Sequence, residues 1–168
     1  MKFNRLLIAN RGEIAIRLAR AAAEMGIATV AVYSKDDQYS RHVLAADEAV
    51  CLTGIGARAY LDAEQIIQVA LSTGCEAIHP GYGFLSENAD FAALCVENGI
   101  NFVGPSAELL ALLGDKAQAL NLAAQLDIPI LAGSGAACTL AGAQQFFAQL
   151  PAGSAMMIKA IAGGGGRG

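Results

Sequence analysis

The stretch RLLIANRGEIAIRLARAAAEMGIATVAVY, residues 5–33, decides the fold. RLLIA (5–9) is a short apolar run that stops at the turn residues Asn10, Arg11 and Gly12. GEIAIRLARAAAEM (12–25) has helical spacing and predicts one apolar face of Ile14, Leu18, Ala21 and Met25. Gly26 offers the position just past the last turn, where a left-handed residue ends a helix. ATVAVY (28–33) is apolar without alternation, as a parallel strand covered on both faces tends to be. Strand, helix and strand in this order form a β-α-β unit with an expected right-handed crossover.

The alternation continues along the chain. EAVCL (48–52) reads as a third strand, and Asp62 can cap a helix through AEQIIQVAL to Gly74. EAIH (76–79) is a fourth strand broken at Pro80, a helix spans about 88–98, and INFVG (100–104) gives a fifth strand. The fold class is α/β, a doubly wound, mostly parallel sheet. After Gly104-Pro105 two helices follow, separated by Gly114 and Asp115, the latter a plausible N-cap. Then come a short segment PIL (129–131), a helix from Thr139 to about Leu150, and AMMIKAI (155–161), predicted as the last strand. The expected boundary lies near Gly114, giving units 1–114 and 115–168, the second cut short.

Composition bounds the function. Of 168 residues, 55% are hydrophobic and 15% charged, which is material for a core and not for a disordered chain. No apolar run approaches the ~20 residues that cross a bilayer, and the start MKFNRLLIANRGE has too short an apolar stretch for a secretory signal. A cytoplasmic protein without a membrane partner is expected. The net charge is −4 and no basic cluster stands out, so nucleic acid is not an expected partner. Cys51, Cys75, Cys95 and Cys138 form no CxxC pair and read as buried reduced thiols. With only His42 and His79 available, a structural zinc site is not expected.

Three stretches could carry chemistry. NRGEIAIR (10–17) sits where a doubly wound domain binds dinucleotide phosphates, yet that fingerprint needs three glycines and only Gly12 is present. The following helix face has Glu13–Arg17 and Arg20–Glu24 at i,i+4, the spacing of ordinary surface ion pairs. HPGYGFLSEN (79–88) falls at the carboxyl end of strand four, where open α/β sheets bind ligands. It is either a hydrogen-bonded turn or the wall of a site. KAIAGGGGRG (159–168) has a lysine and an apolar run before four glycines, whose backbone N–H groups could cradle phosphate oxygens. Lys116, at a helix start, could add a second ammonium. The run is not a Walker loop, since no Gly-Lys-Ser/Thr follows.

Taken together, LLIANRGEIAIR, TVAVYS, HVLAADEAVCL, AIHPGYGFLSENADFA, FVGPS, GDKAQA and IKAIAGGGGRG resemble, in order, the front end of a biotin carboxylase. The resemblance covers essentially the whole chain. It implies an N-terminal α/β domain followed by the start of an ATP-grasp domain, in an enzyme that uses ATP and Mg²⁺ to activate bicarbonate as carboxyphosphate and carboxylates carrier-bound biotin. It implies ATP-binding roles for Lys116, Lys159, Gly165 and Gly166, a place near biotin for Tyr82 and Gly83, and a homodimer interface at Arg20 and Glu24. Its partners would be a biotin carboxyl carrier domain and a carboxyltransferase component. No catalytic residue or metal ligand of the family falls in these 168 residues, so the chain alone is expected to be inactive. Ala132, Met156 and Ile161-Ala162 depart from the family's usual residues around the glycine lid. Competing readings are a non-catalytic Rossmann-like module binding a nucleotide or partner, and another ATP-grasp ligase such as carbamoyl-phosphate synthase.

Overall fold

The computed structural model describes residues 2–134 and 137–159. The chain divides into two compact units, Met1–Leu110 and Ala111–Gly168.

The first unit is built on five parallel strands, β1 (Arg5–Ile8), β2 (Ala28–Tyr33), β3 (Glu48–Cys51), β4 (Ala77–His79) and β5 (Asn101–Phe102), in the order β3-β2-β1-β4-β5. β1 pairs with β2 and with β4, so that Leu7 lies level with Val30 on one side and Ile78 on the other. The strand order therefore reverses between β1 and β4, and the loops leaving those two strands flank a crevice.

Alternate residues of β1 serve opposite faces. Leu6 and Ile8 join Ala77 and the stripe Ala15, Ala19 and Ala22 of helix α1 (Gly12–Glu24). Leu7 and Ala9 join Val30, Val32 and Ile78 under α3 (Ala63–Ser72) and α4 (Ala89–Glu97), which contribute Ile66, Ile67, Val69, Phe91 and Cys95. Helices cover both faces, which is the doubly wound architecture. The short helix α2 (Arg41–Ala45) precedes β3 and buries His42.

The helix ends follow the local chemistry. Asp62 accepts a hydrogen bond from the Gln65 backbone, Asn88 from Phe91, and Gly26 follows α1 with φ +71°. The apolar face expected for α1 is displaced. Ile14 and Leu18 are half-buried, and Ala21 and Met25 are exposed, Met25 to 73%. The alanine stripe meets the sheet instead, because small side chains let the helix axis approach it closely. The i,i+4 pairs on the opposite face do not close either. Among the described residues the ion pairs are Arg5–Glu48 and Arg11–Asp37.

Burial of the thiols is half as expected: Cys75 and Cys95 are buried, while Cys51 and Cys138 are exposed. Cys51 closes an edge strand and Cys138 lies in the loop before α7 (Leu140–Ala148), where apolar sequence neighbours do not guarantee cover.

The second unit holds α6 (Lys116–Gln125) and α7; α5 (Ala107–Gly114) runs across the division between the units. Asp115 caps α6 by accepting from the Ala117 and Gln118 backbone. The strand predicted over 155–161 is absent from its described part, 155–159, and 129–131 forms none. Met157 and Ile158 are exposed, to 78% and 73%. An apolar run becomes a strand only when a neighbour pairs its backbone, and among the described residues of this unit there is no such neighbour.

Candidate functional site

The crevice at the strand-order reversal is made by residues 9–13 after β1 and 79–84 after β4. The two stretches, separate in sequence, are one structure. Ala9 N–H donates to the His79 carbonyl at 3.0 Å. The wholly buried Asn10 donates from Nδ2 to the carbonyls of Pro80 at 2.6 Å and Tyr82 at 2.9 Å, while its Oδ1 accepts from Arg11 N–H at 2.8 Å. Glu13 receives the Tyr82 hydroxyl on Oε1 at 2.5 Å. That carboxylate bond holds the Tyr82 phenol above the usual tyrosine range.

Gly81 makes this contact possible. Its φ is +66°, and a Cβ there would stand 2.6 Å from Ile14 Cγ2 and 2.9 Å from Asn10 Nδ2. Its N–H donates to His79 Nδ1 at 3.0 Å, so that nitrogen is the unprotonated one and Nε2 carries the proton of the neutral ring. Burial keeps His79 below the ordinary histidine range. Glu13, Ile14, Arg17, Leu18, His79, Gly81 and Tyr82 line a cleft of about 390 Å³. A guanidinium, a phenol, a carboxylate and an imidazole can thus face one polar ligand.

Beside it, at the end of β2, Asp37 is the hub of a second network. Its Oδ2 accepts from Arg11 Nη1 at 2.9 Å and from the Tyr60 hydroxyl at 2.8 Å, and its Oδ1 accepts from Ser40 Oγ at 3.1 Å. Dinucleotide-binding domains offer an acidic group in this region to a ribose. Here the carboxylate is occupied by the protein's own guanidinium and hydroxyls. With a single glycine in the first turn as well, the site is not a dinucleotide site.

The sequence-derived residues fall as follows. Tyr82, 65% exposed, and Gly83 lie together on the crevice rim. Arg20 and Glu24 line an exposed groove on α1 with Glu13, Ile16, Arg17 and Ala21. Lys116 is the first residue of α6 and half-buried, and Lys159 is exposed. Gly165 and Gly166 lie outside the described residues. Sequence reasoning missed Asn10 as more than a turn residue, and missed Asp37, Tyr60 and Phe84. Phe84 has φ +44°, directly after Gly83 at φ +72°, so the left-handed backbone runs on past the glycine into an aromatic residue. Nothing in the local pattern signals these partners, which come from four separate loops.

A parallel sheet whose order reverses at a ligand-sized crevice, without the dinucleotide glycines, defines an α/β domain of the nucleotide-fold class with a different task. The model of the family "Biotin carboxylase, N-terminal domain" matches residues 2–110, and the chain belongs to this family. It is 49% identical to a biotin carboxylase of Nostoc over all of its length and 38% of the relative's. It is 52% identical to pyruvate carboxylase of Bacillus subtilis over 98% of this chain and 14% of that one. Among solved structures, the biotin carboxylase domain dimer of Hydrogenobacter thermophilus 2-oxoglutarate carboxylase, crystallised with MgADP, ADP and bicarbonate, superposes with a TM-score of 0.93. That likeness covers 99% of this chain and 37% of that chain at 44% identity. The chain spans well under half the length of the biotin carboxylases it matches.

Proposed function

We propose that this chain supplies the N-terminal domain and the first part of the ATP-grasp region of a biotin carboxylase, which carboxylates carrier-bound biotin with bicarbonate using ATP. The observation that carries the reading is the likeness over 99% of the chain to a carboxylase domain that holds MgADP and bicarbonate. In this reading the boundary falls near Gly114. The crevice rim, Tyr82 and Gly83, faces biotin. Lys116 and Lys159 bring ammonium groups to the phosphates, and Gly165 and Gly166 share in ATP binding. Phosphoryl transfer to bicarbonate depends on positioning and charge neutralisation, which lysines and backbone amides provide.

The exposed groove of α1 with Arg20 and Glu24 is read as half of a homodimer contact, in keeping with the dimer of the 2-oxoglutarate carboxylase domain. Carrier and carboxyltransferase components complete the partners, in the cytoplasm; no helix among the described residues is long and apolar enough to cross a membrane. Magnesium would neutralise phosphate charge when bound. No group of three His, Cys, Asp or Glu side chains among the described residues could hold it, so these residues do not fit as its cage.

The test is a chimera in which this chain replaces the matching segment of the Nostoc biotin carboxylase. The expected result is bicarbonate-dependent ADP release that rises with free biotin, with none from the 168-residue chain alone. A folded chimera that binds ATP but never carboxylates biotin would refute the reading.

A further inference from the structure

The turn that carries Tyr82 and Gly83 is held by a closed circuit of contacts. Asn10 grips it from one side through the Pro80 and Tyr82 carbonyls. From the other side, Phe84 stacks on the wholly buried Tyr60, with ring centroids 5.2 Å apart and planes 24° apart. The Tyr60 hydroxyl accepts from Ser34 N–H at 3.1 Å and donates to Asp37, which binds Arg11, whose own N–H donates to the Asn10 side chain. The circuit runs through the ends of β1, β2 and β4 and the 3-10 turn Gly56–Leu61.

Within the circuit the backbone is strained. Phe84 has φ +44°, a conformation that costs an aromatic residue on the order of 1–3 kcal/mol and persists only where the surroundings impose it. Asn10 alone bonds the turn directly, while Tyr60 reaches it through the ring of Phe84 and Asp37 acts by holding the Tyr60 hydroxyl and Arg11. The side of the turn they leave uncovered is the rim with Tyr82 and Gly83. Rigid support beneath an exposed rim is how a binding group is held in register for a ligand.

We propose that Asn10, Asp37 and Tyr60 are positioning residues: without touching a ligand, they fix the 80–84 turn and so present Tyr82 and Gly83 to biotin. The ligand in this statement rests on the carboxylase reading above; the circuit itself does not.

The first test is amide hydrogen exchange on the full 168-residue chain. Asn10→Ala and Tyr60→Phe are expected to speed exchange at 80–86 about tenfold more than in Ala63–Ser72 of α3, which reports global opening. Equal acceleration in both segments, or none in either, overturns positioning. The second test uses the chimera. Tyr60→Leu, which loses ring and hydroxyl, is expected to raise KM for free biotin about tenfold with kcat and the ATP KM within about twofold. Tyr60→Phe keeps the stacking partner of Phe84 and is expected to recover part of that loss. Parallel loss in kcat and the ATP KM overturns the proposal. A chimera that never carboxylates biotin, even with Asn10 and Tyr60 intact, fails the carboxylase reading alone, and the exchange result then decides the circuit.

Discussion

Gly81 lies against Asn10 so closely that a Cβ added to the glycine would stand 2.9 Å from the Asn10 amide nitrogen. The same Cβ would meet Ile14 Cγ2 at 2.6 Å, and φ at Gly81 is +66°. Strain and overlap therefore add. Gly81→Ala is expected to destabilise the chain by about 2–4 kcal/mol, combining the left-handed penalty with overpacking. Gly83 has φ +72° but no atom within 4 Å of its Cβ position, so Gly83→Ala should cost only about 1 kcal/mol. Urea midpoints of the two variants check this. Equal losses would mean that the crevice relaxes and that the packing of Asn10 on Gly81 is not tight.

Tyr60 gives an alkaline signature. Burial pushes its phenol up to about 12, with the Asp37 carboxylate adding to the effect and the Ser34 N–H opposing it. The unfolded phenol titrates near its ordinary value of about 10. A folded value above the unfolded one means that the stabilisation is complete below about pH 10 and declines as pH rises toward 12. The urea midpoint should fall across that window. In Tyr60→Phe the baseline is lower at neutral pH, and the fall between pH 10 and 12 should be visibly shallower. An identical slope in both proteins would show that Tyr60 ionises freely while folded.

Much of this fold was legible from local pattern. The β-α-β opening, the caps at Asp62 and Asp115, and the stop at Gly26 are written in neighbouring residues, and each appears where the chemistry of a helix end requires it. The α1 core face was not legible, because Ala15, Ala19 and Ala22 compete with larger residues on the same helix. Hydrophobicity ranks Ile14 and Met25 higher, while distance to the sheet favours alanine. The 155–161 run shows the same limit from the other side: apolar residues announce burial or pairing, but the partner must exist. The crevice was half legible. Its two motifs stood out by their glycines and prolines, but that Asn10 joins them, and that Asp37 and Tyr60 brace them, depends on the strand order.

His42 should make the protein acid-sensitive. It is wholly buried, its Nε2 meets the Val32 carbonyl at 3.3 Å, and its Nδ1 has no partner. Burial lowers its pKa below the ordinary 6.5, with Arg11 acting in the same direction and the Val32 carbonyl and Asp37 opposing. The neutral ring is the folded form, so its stabilisation is present above pH 6.5 and is lost as pH falls through and below that value. Between pH 7 and 5 the thermal midpoint should drop, and His42→Gln should flatten that part of the profile while lowering its plateau. A profile of unchanged shape in the variant would assign the acid sensitivity to the carboxylates.

The four thiols should divide by position and not by sequence neighbourhood. Cys51 and Cys138 are exposed and Cys75 and Cys95 are buried. Burial pushes Cys95 up to about 12 and also raises Cys75. Alkylation requires both access and thiolate, so the two criteria act together on the buried pair. With iodoacetamide at pH 8, mass spectrometry should find Cys51 and Cys138 modified at least about a hundredfold faster than Cys95. Cys95 lies on the buried face of α4 in the core, so its modification should wait for global unfolding and follow urea with the same midpoint as the far-ultraviolet signal. Cys75 lies just before β4, and the side chain of Thr73 contacts its sulfur at 3.4 Å. If Cys75 labels well before Cys95, the segment leading into β4 opens locally. The Pro80–Gly83 turn would then be supported mainly from the Asn10 side.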